Sequence, residues 1–150
     1  MNRSGDSIKI YFSVSVRGGV TDVSVCAELI THLERYGDVL TKHLADPKLH
    51  SLDPSHSNSL RIYNRDMEWL RGADVVVSEV SAPSHGQGWE LAKAEDLGKP
   101  ALCLYRPAEG RHLSAIIDGN EYLVVKRYQT LDEAKIHIDD FLKKHHFSIS

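Results

Sequence analysis

This sequence predicts a three-layer α/β fold around a parallel sheet, and three observations carry that expectation. Short β-rich apolar runs alternate with segments of helical periodicity along the whole chain. Two of the runs, "ADVVVSEV" (73–80) and "PALCLYR" (100–106), are apolar almost without a break, as in strands covered on both faces. The 150 residues, 41% of them hydrophobic, suffice for one well-buried core and are too few for two ordinary domains.

In chain order, 1–7 form a short polar segment, and a single domain is expected over 8–147. "IKIYFSVSV" (8–16) reads as the first strand and ends at the glycine turn "RGGVTD". Val23, Cys26, Ala27, Ile30 and Leu33 then recur at helical spacing, and "DVLTKH" (38–43) reads as a second short strand. The segment 44–57, with two prolines and many polar residues, reads as a mobile loop. A helix over 58–71 follows, with Leu60, Tyr63, Met67 and Leu70 on one stripe. The strand 73–80, a glycine-containing loop, and a helix to about Leu97 closed by Gly98 come next. Strand 100–106, a short helix or turn in "GRHLSAIID", a fifth strand at 122–128 and a helix over 130–146 complete the chain. That last helix turns Leu131, Ala134, Ile138, Phe141 and Leu142 inward.

A formal charge of −3 and a pI near 6.3 give no electrostatic case for binding nucleic acid or membranes. The N-terminus does not read as a signal peptide, and no apolar run is long enough to span a bilayer. Cys26 and Cys103, one in a predicted helix and one in a predicted strand, read as reduced core residues. The expected compartment is the cytoplasm, with no sequence bar to the nucleus.

Ligands of such folds gather outside the carboxyl ends of the strands. There "SVSVRGG" offers Ser15, Arg17, Gly18 and Gly19, a hydroxyl, a guanidinium and free backbone N–H groups suited to an anion. The pattern is neither G-x-G-x-x-G nor a P-loop, so a dinucleotide or triphosphate is not suggested. The loop "SAPSHGQGWE" adds Ser84, Gly86 and Gly88 ahead of a helix, with Glu90 in what reads as its first turn. There the helix dipole favours an ionised carboxylate. Asp66 shares a largely apolar helix face with Ile62 and Trp69, and an inward Asp is paired, protonated or working. Two carboxylates converging on one pocket are what cleavage of a glycosidic bond needs. His43, ending the second predicted strand, is a further candidate; His85 and the "KKHHF" tract read as solvated. There is no Cys/His zinc pattern and no G-x-S-x-G elbow, so no metal or cofactor is implied.

The blocks "IYFSVSVRGG", "VLTKHLAD", "RDMEWLRGADVVVSEVSAPSHGQGWELAKA", "GKPALCLYRP" and "GRHLSAII" together resemble the 2′-deoxynucleoside 5′-phosphate N-hydrolases of the nucleoside 2-deoxyribosyltransferase superfamily, over about residues 8 to 117. The resemblance implies a flavodoxin-like (Rossmann-like) fold with a five-stranded parallel sheet. It also implies a homodimer, and cofactor-free hydrolysis of the base–sugar bond of deoxynucleoside 5′-monophosphates. By that resemblance Glu90 is the nucleophile, Asp66 the aspartate near the leaving base, Tyr11 a tyrosine positioning sugar and nucleophile, and His43 a histidine on the base side. Ser15, Arg17 and Ser84 match a 5′-phosphate shell, and Ser114 a serine given by the neighbouring subunit. Val16, Gly18, Gly19, Gly86, Gly88 and Ile116 fall among the substrate-lining positions. Where the family commonly has "CGSIRGG", this chain has "SVSVRGG", so Val14 replaces a glycine near the sugar; Trp89 stands where a tyrosine is usual. A deoxyribosyltransferase, a ribonucleotide N-glycosidase and a nucleotide-binding regulator without turnover remain as alternatives.

Overall fold

The computed structural model describes residues 7–15, 23–45 and 55–149. Its strands are β1 (Ile8–Val14), β2 (Gly37–Val39), β3 (Val75–Glu79), β4 (Ala101–Tyr105) and β5 (Val124–Arg127). Its helices are α1 (Val23–Leu33), α2 (His56–Gly72), α3 (His85–Asp96), the single turn α4 (Ala115–Asp118) and α5 (Leu131–Lys144). The sheet runs in the order β2-β1-β3-β4-β5 with every neighbouring pair parallel. This is the doubly wound order of flavodoxin-like folds, and its switch point lies between β1 and β3.

Side-chain alternation along the strands builds two cores. Ile10, Phe12, Val75, Val77, Leu102 and Leu104 pack with α1 and α5. Tyr11, Val76, Ala101, Cys103 and Tyr105 face the other way, onto Met67 and Leu70 of α2 and Leu91 and Ala94 of α3. Both cysteines are buried and free; burial pushes the thiols up, Cys26 (with Glu79 adding) to about 11 and Cys103 to about 12. Gly98, at φ 67°, follows the end of α3 as expected, and Thr130 with Glu133 forms a capping box that starts α5.

Several elements differ from the sequence reading. The first strand ends at Val14 rather than at residue 16. The second is only Gly37–Val39, after which the chain enters a 3-10 turn, Lys42–Ala45. The strand stops because a side chain takes over its next rung. The Leu40 N–H still donates to Ile10 O (2.9 Å), but Phe12 N–H donates to Thr41 Oγ1 (3.0 Å), and that hydroxyl donates to Phe12 O (2.6 Å). One threonine thus satisfies both groups of Phe12 and frees the chain to turn. On α1 the buried face is Val25, Cys26, Leu29, Ile30 and Leu33 rather than the set containing Val23 and Ala27. On α2 only Met67 and Leu70 of the expected stripe are buried, while Leu60 and Tyr63 are 53% and 47% exposed. A helix of 17 residues is about 25 Å long against about 17 Å for a five-residue strand, so its N-terminal half outruns the sheet.

Candidate active site

The alternation that puts Tyr11 on the α3 side of β1 puts Ser13 beside it, and both reach Glu90. Tyr11 Oη donates to Glu90 Oε1 (3.0 Å) and Ser13 Oγ donates to Glu90 Oε2 (2.5 Å), so each carboxylate oxygen has its own donor. Tyr11 and Ser13 are buried, at 2% and 4% exposure. β3 locks their backbone, with Tyr11 paired to Val76 and Ser13 to Ser78. The cluster therefore sits at the carboxyl side of the β1/β3 switch point, where doubly wound folds bind ligands.

Glu90 does not lie in the first turn of α3. That helix begins at His85 with Ser84 as N-cap and has no acidic residue in its first turn, so Glu90 falls in the second turn, beyond most of the dipole's reach. Its carboxyl is held above the usual carboxylate range, chiefly by burial and secondarily by the charge of Asp66; the bonds from Ser13 and Tyr11 oppose that rise. The expected help from the helix dipole is thus replaced by two hydroxyl donors. Burial, with the charges of Glu90 and Asp66, drives the Tyr11 phenol far up, so it stays a donor throughout the physiological range.

α2 brings Asp66 to the same side. It is partly buried and held by its neighbour Arg65, whose Nε and Nη2 both lie 2.8 Å from Oδ1. The Arg65 guanidinium also lies 4.8 Å from the Trp69 ring centroid, and Trp69 in turn is 5.4 Å from the His43 ring. His43, carried in by the 3-10 turn, is half-buried, and burial with the Arg65 charge lowers its pKa. Near neutral pH it is a neutral imidazole.

α3 is fixed by a residue the sequence reading passed over. Gln87 is buried, and its Nε2 donates to Glu79 O (2.8 Å) and Ser78 Oγ (3.2 Å). Ser84 Oγ accepts the Gln87 N–H (3.3 Å), which leaves its own O–H to donate. Gly86 and Gly88 lie within the first turns of α3, and a methyl group added at Gly88 would meet nothing. Ser15, directly after β1, is buried. Val16, Arg17, Gly18 and Gly19 lie outside the described residues. Ser114 is the exposed N-cap of α4 without a side-chain cap bond, and Ile116 is 80% exposed; neither belongs to the hydrogen-bonded cluster around Glu90 within one chain. Val14 packs against the α1/α5 core, on the face away from Tyr11 and Ser13.

Sequence reasoning missed Ser13 and Gln87. The alternation Tyr11-x-Ser13-x-Ser15 was the available signal for the first. For the second it was the three-residue spacing to Glu90, which puts both on one helix face. Among the described residues, no group of three or more His, Cys, Asp or Glu could hold a metal ion, and no helix is long and apolar enough to cross a membrane.

A partly buried carboxylate gripped by two hydroxyls at the switch point of a parallel sheet, with an ion-paired aspartate nearby, defines a candidate glycosyl-transfer centre. The chain belongs to the nucleoside 2-deoxyribosyltransferase family, whose model matches residues 10–143. Within it, the chain is similar to the 5-hydroxymethyl-dUMP N-hydrolase of Mus musculus, 42% identical over 148 residues, which cover 97% of this chain and 84% of that one. The 5-hydroxymethyl-dUMP N-hydrolase of Tetraodon nigroviridis is 40% identical over 138 residues, 89% of this chain and 96% of that one. Among solved structures, a CMP N-glycosidase of Clostridium botulinum shares the fold with a TM-score of 0.62 at 16% identity, covering 87% of this chain and 98% of that one.

Proposed function

We propose that the protein hydrolyses the N-glycosidic bond of 2′-deoxynucleoside 5′-monophosphates, giving the free base and 2-deoxyribose 5-phosphate. The observation that carries this reading is Glu90 held through both oxygens by Tyr11 and Ser13. It is an arrangement that aims a carboxylate and favours its charge in a partly buried place. An oxygen of Glu90 bonds to C1′ as the C1′–N bond breaks, and the base departs on the side of Asp66 and His43, taking up a proton from the aqueous solvent that the attacking water of the next step gives back. Water then attacks C1′, the ester bond breaks, and Glu90 returns as a carboxylate; two inversions give net retention.

The 5′-phosphate is taken by Ser15, Arg17 and Ser84 with the first N–H groups of α3, an anion site of the usual helix N-terminal kind. Ser114 of a second copy completes it. The support for a dimer is the apolar surface on this side of the molecule: Leu60 and Tyr63 on α2, Trp89 on α3 at 56% exposure, and Ile116 on α4. Val14, packed on the opposite face of β1, adds no bulk on the Tyr11 side, which favours keeping the deoxyribose assignment. The expected compartment is the cytoplasm, with entry to the nucleus open.

The test is chromatography of base released from paired deoxy- and ribonucleoside monophosphates, headed by 5-hydroxymethyl-dUMP, the nucleotide that names the mouse and Tetraodon relatives. Release from the deoxy set alone, lost in Glu90→Ala, is the expected result. Release only from ribonucleotides would overturn the substrate assignment. Tight binding with no release would make the protein a sensor, and interception of the sugar by added free base would make it a transferase.

A further inference from the structure

We infer that Ser13 is a positioning residue for Glu90, fixing the rotation and protonation state of the carboxylate from the side that Tyr11 does not reach. Nothing in the family resemblance assigns this position a role. The geometry is a matched pair of docking contacts. Ser13 of β1 and Ser78 of β3 are register partners one residue before the carboxyl ends of their strands, beside the pair Val14 and Glu79. Gln87 and Glu90, three residues apart on α3, land on them: Gln87 Nε2 donates to Ser78 Oγ, and Glu90 Oε2 accepts from Ser13 Oγ. Two cross-strand hydroxyls thus receive two side chains from successive turns of one helix, and the active carboxylate is one of them. Ser13 is 4% exposed, so its hydroxyl has little access to water.

Charge explains why the contact matters. Among the described residues, the groups facing Glu90 are Tyr11 and Ser13 from β1 and Asp66 from α2, with Arg65 behind Asp66 and His43 on the 3-10 turn beyond. Burial and Asp66 both disfavour the ionised carboxylate, and only the two hydroxyls favour it directly. Tyr11 occupies Oε1, so without Ser13 the other oxygen of this partly buried carboxyl has no donor among the described residues.

The experiment compares wild type, Ser13→Ala and Ser13→Cys, the thiol being a poor donor of similar size. The first readout is kcat against pH; it rests on Glu90 being the nucleophile proposed above. The second is independent of turnover: infrared titration of the protonated Glu90 carboxyl band, isolated as the difference from Glu90→Gln. Loss of a hydrogen bond to a charged group is expected to move the acid limb and the carboxyl titration to higher pH by roughly one to two units. kcat should recover above that limb, with Ser13→Cys in between. A kcat lowered equally at every pH, with the titration unmoved, would reduce Ser13 to a packing residue and overturn the inference. Should no nucleotide release base even from wild type while the infrared titration still moves, the hydrolase reading falls and the role of Ser13 stands.

Discussion

Replacing Thr41 by valine removes one hydroxyl and keeps the shape, and that hydroxyl stands in for a strand. It accepts from Phe12 N–H and donates to Phe12 O, while Phe12 and Thr41 are 0% and 2% exposed. In Thr41→Val both backbone groups of Phe12 are left buried without partners, at about 1–3 kcal/mol each. The sum, about 2–6 kcal/mol, is a large share of the 5–15 kcal/mol typical of a domain. Urea unfolding followed by circular dichroism should show the midpoint falling at unchanged slope, with Thr41→Ser recovering most of the loss. Base release should fall with it, because Thr41 sets where the chain leaves β2 for the turn that carries His43. A valine variant within about 0.5 kcal/mol of wild type, the range of an ordinary surface substitution, would show that the ladder argument is wrong.

Two more perturbations probe the site. The raised pKa of Glu90 means that its contribution to stability is complete below the unfolded value and is lost as pH rises through the folded one. Glu90→Gln mimics the protonated carboxyl, so its melting temperature should match wild type near pH 4 or below and exceed it increasingly toward neutrality; an offset independent of pH would contradict this. At Gly88 an added methyl group meets nothing in the protein. Gly88→Ala should therefore stabilise by up to about 1 kcal/mol through helix propensity while raising KM; unchanged KM would remove Gly88 from the substrate surface.

The fold was legible where apolar periodicity is unbroken, as in 73–80 and 100–106, because strands covered on both faces leave little else for such runs to be. Both contain observed strands, and Gly98 closes α3 as read. The end of the second strand was not legible, since "DVLTKH" has strand propensity throughout and only the tertiary pairing of Thr41 with Phe12 decides that the chain turns. The exposed half of α2 was missed for a related reason: periodicity reports a face but not whether a sheet extends beneath it. At the site, Glu90, Tyr11, Asp66 and His43 lie near one another on the α2/α3 side of the sheet. The helix-dipole argument for Glu90 failed because it depended on the position of the N-cap, and element ends are the least determined feature of a sequence. Ser13 was hidden as one more polar residue in a strand, although the alternation with Tyr11 pointed to it.

The most direct test of the central claim is to trap the enzyme during turnover. Wild-type protein mixed with 5-hydroxymethyl-dUMP, quenched in acid within a turnover and digested, should yield one peptide heavier by a 2-deoxyribose 5-phosphate residue. Fragmentation should place that adduct on Glu90, and the adduct should be absent from Glu90→Gln. Base release from wild type with no adduct under these conditions, or an adduct on another side chain, would contradict the assignment of Glu90 as the nucleophile.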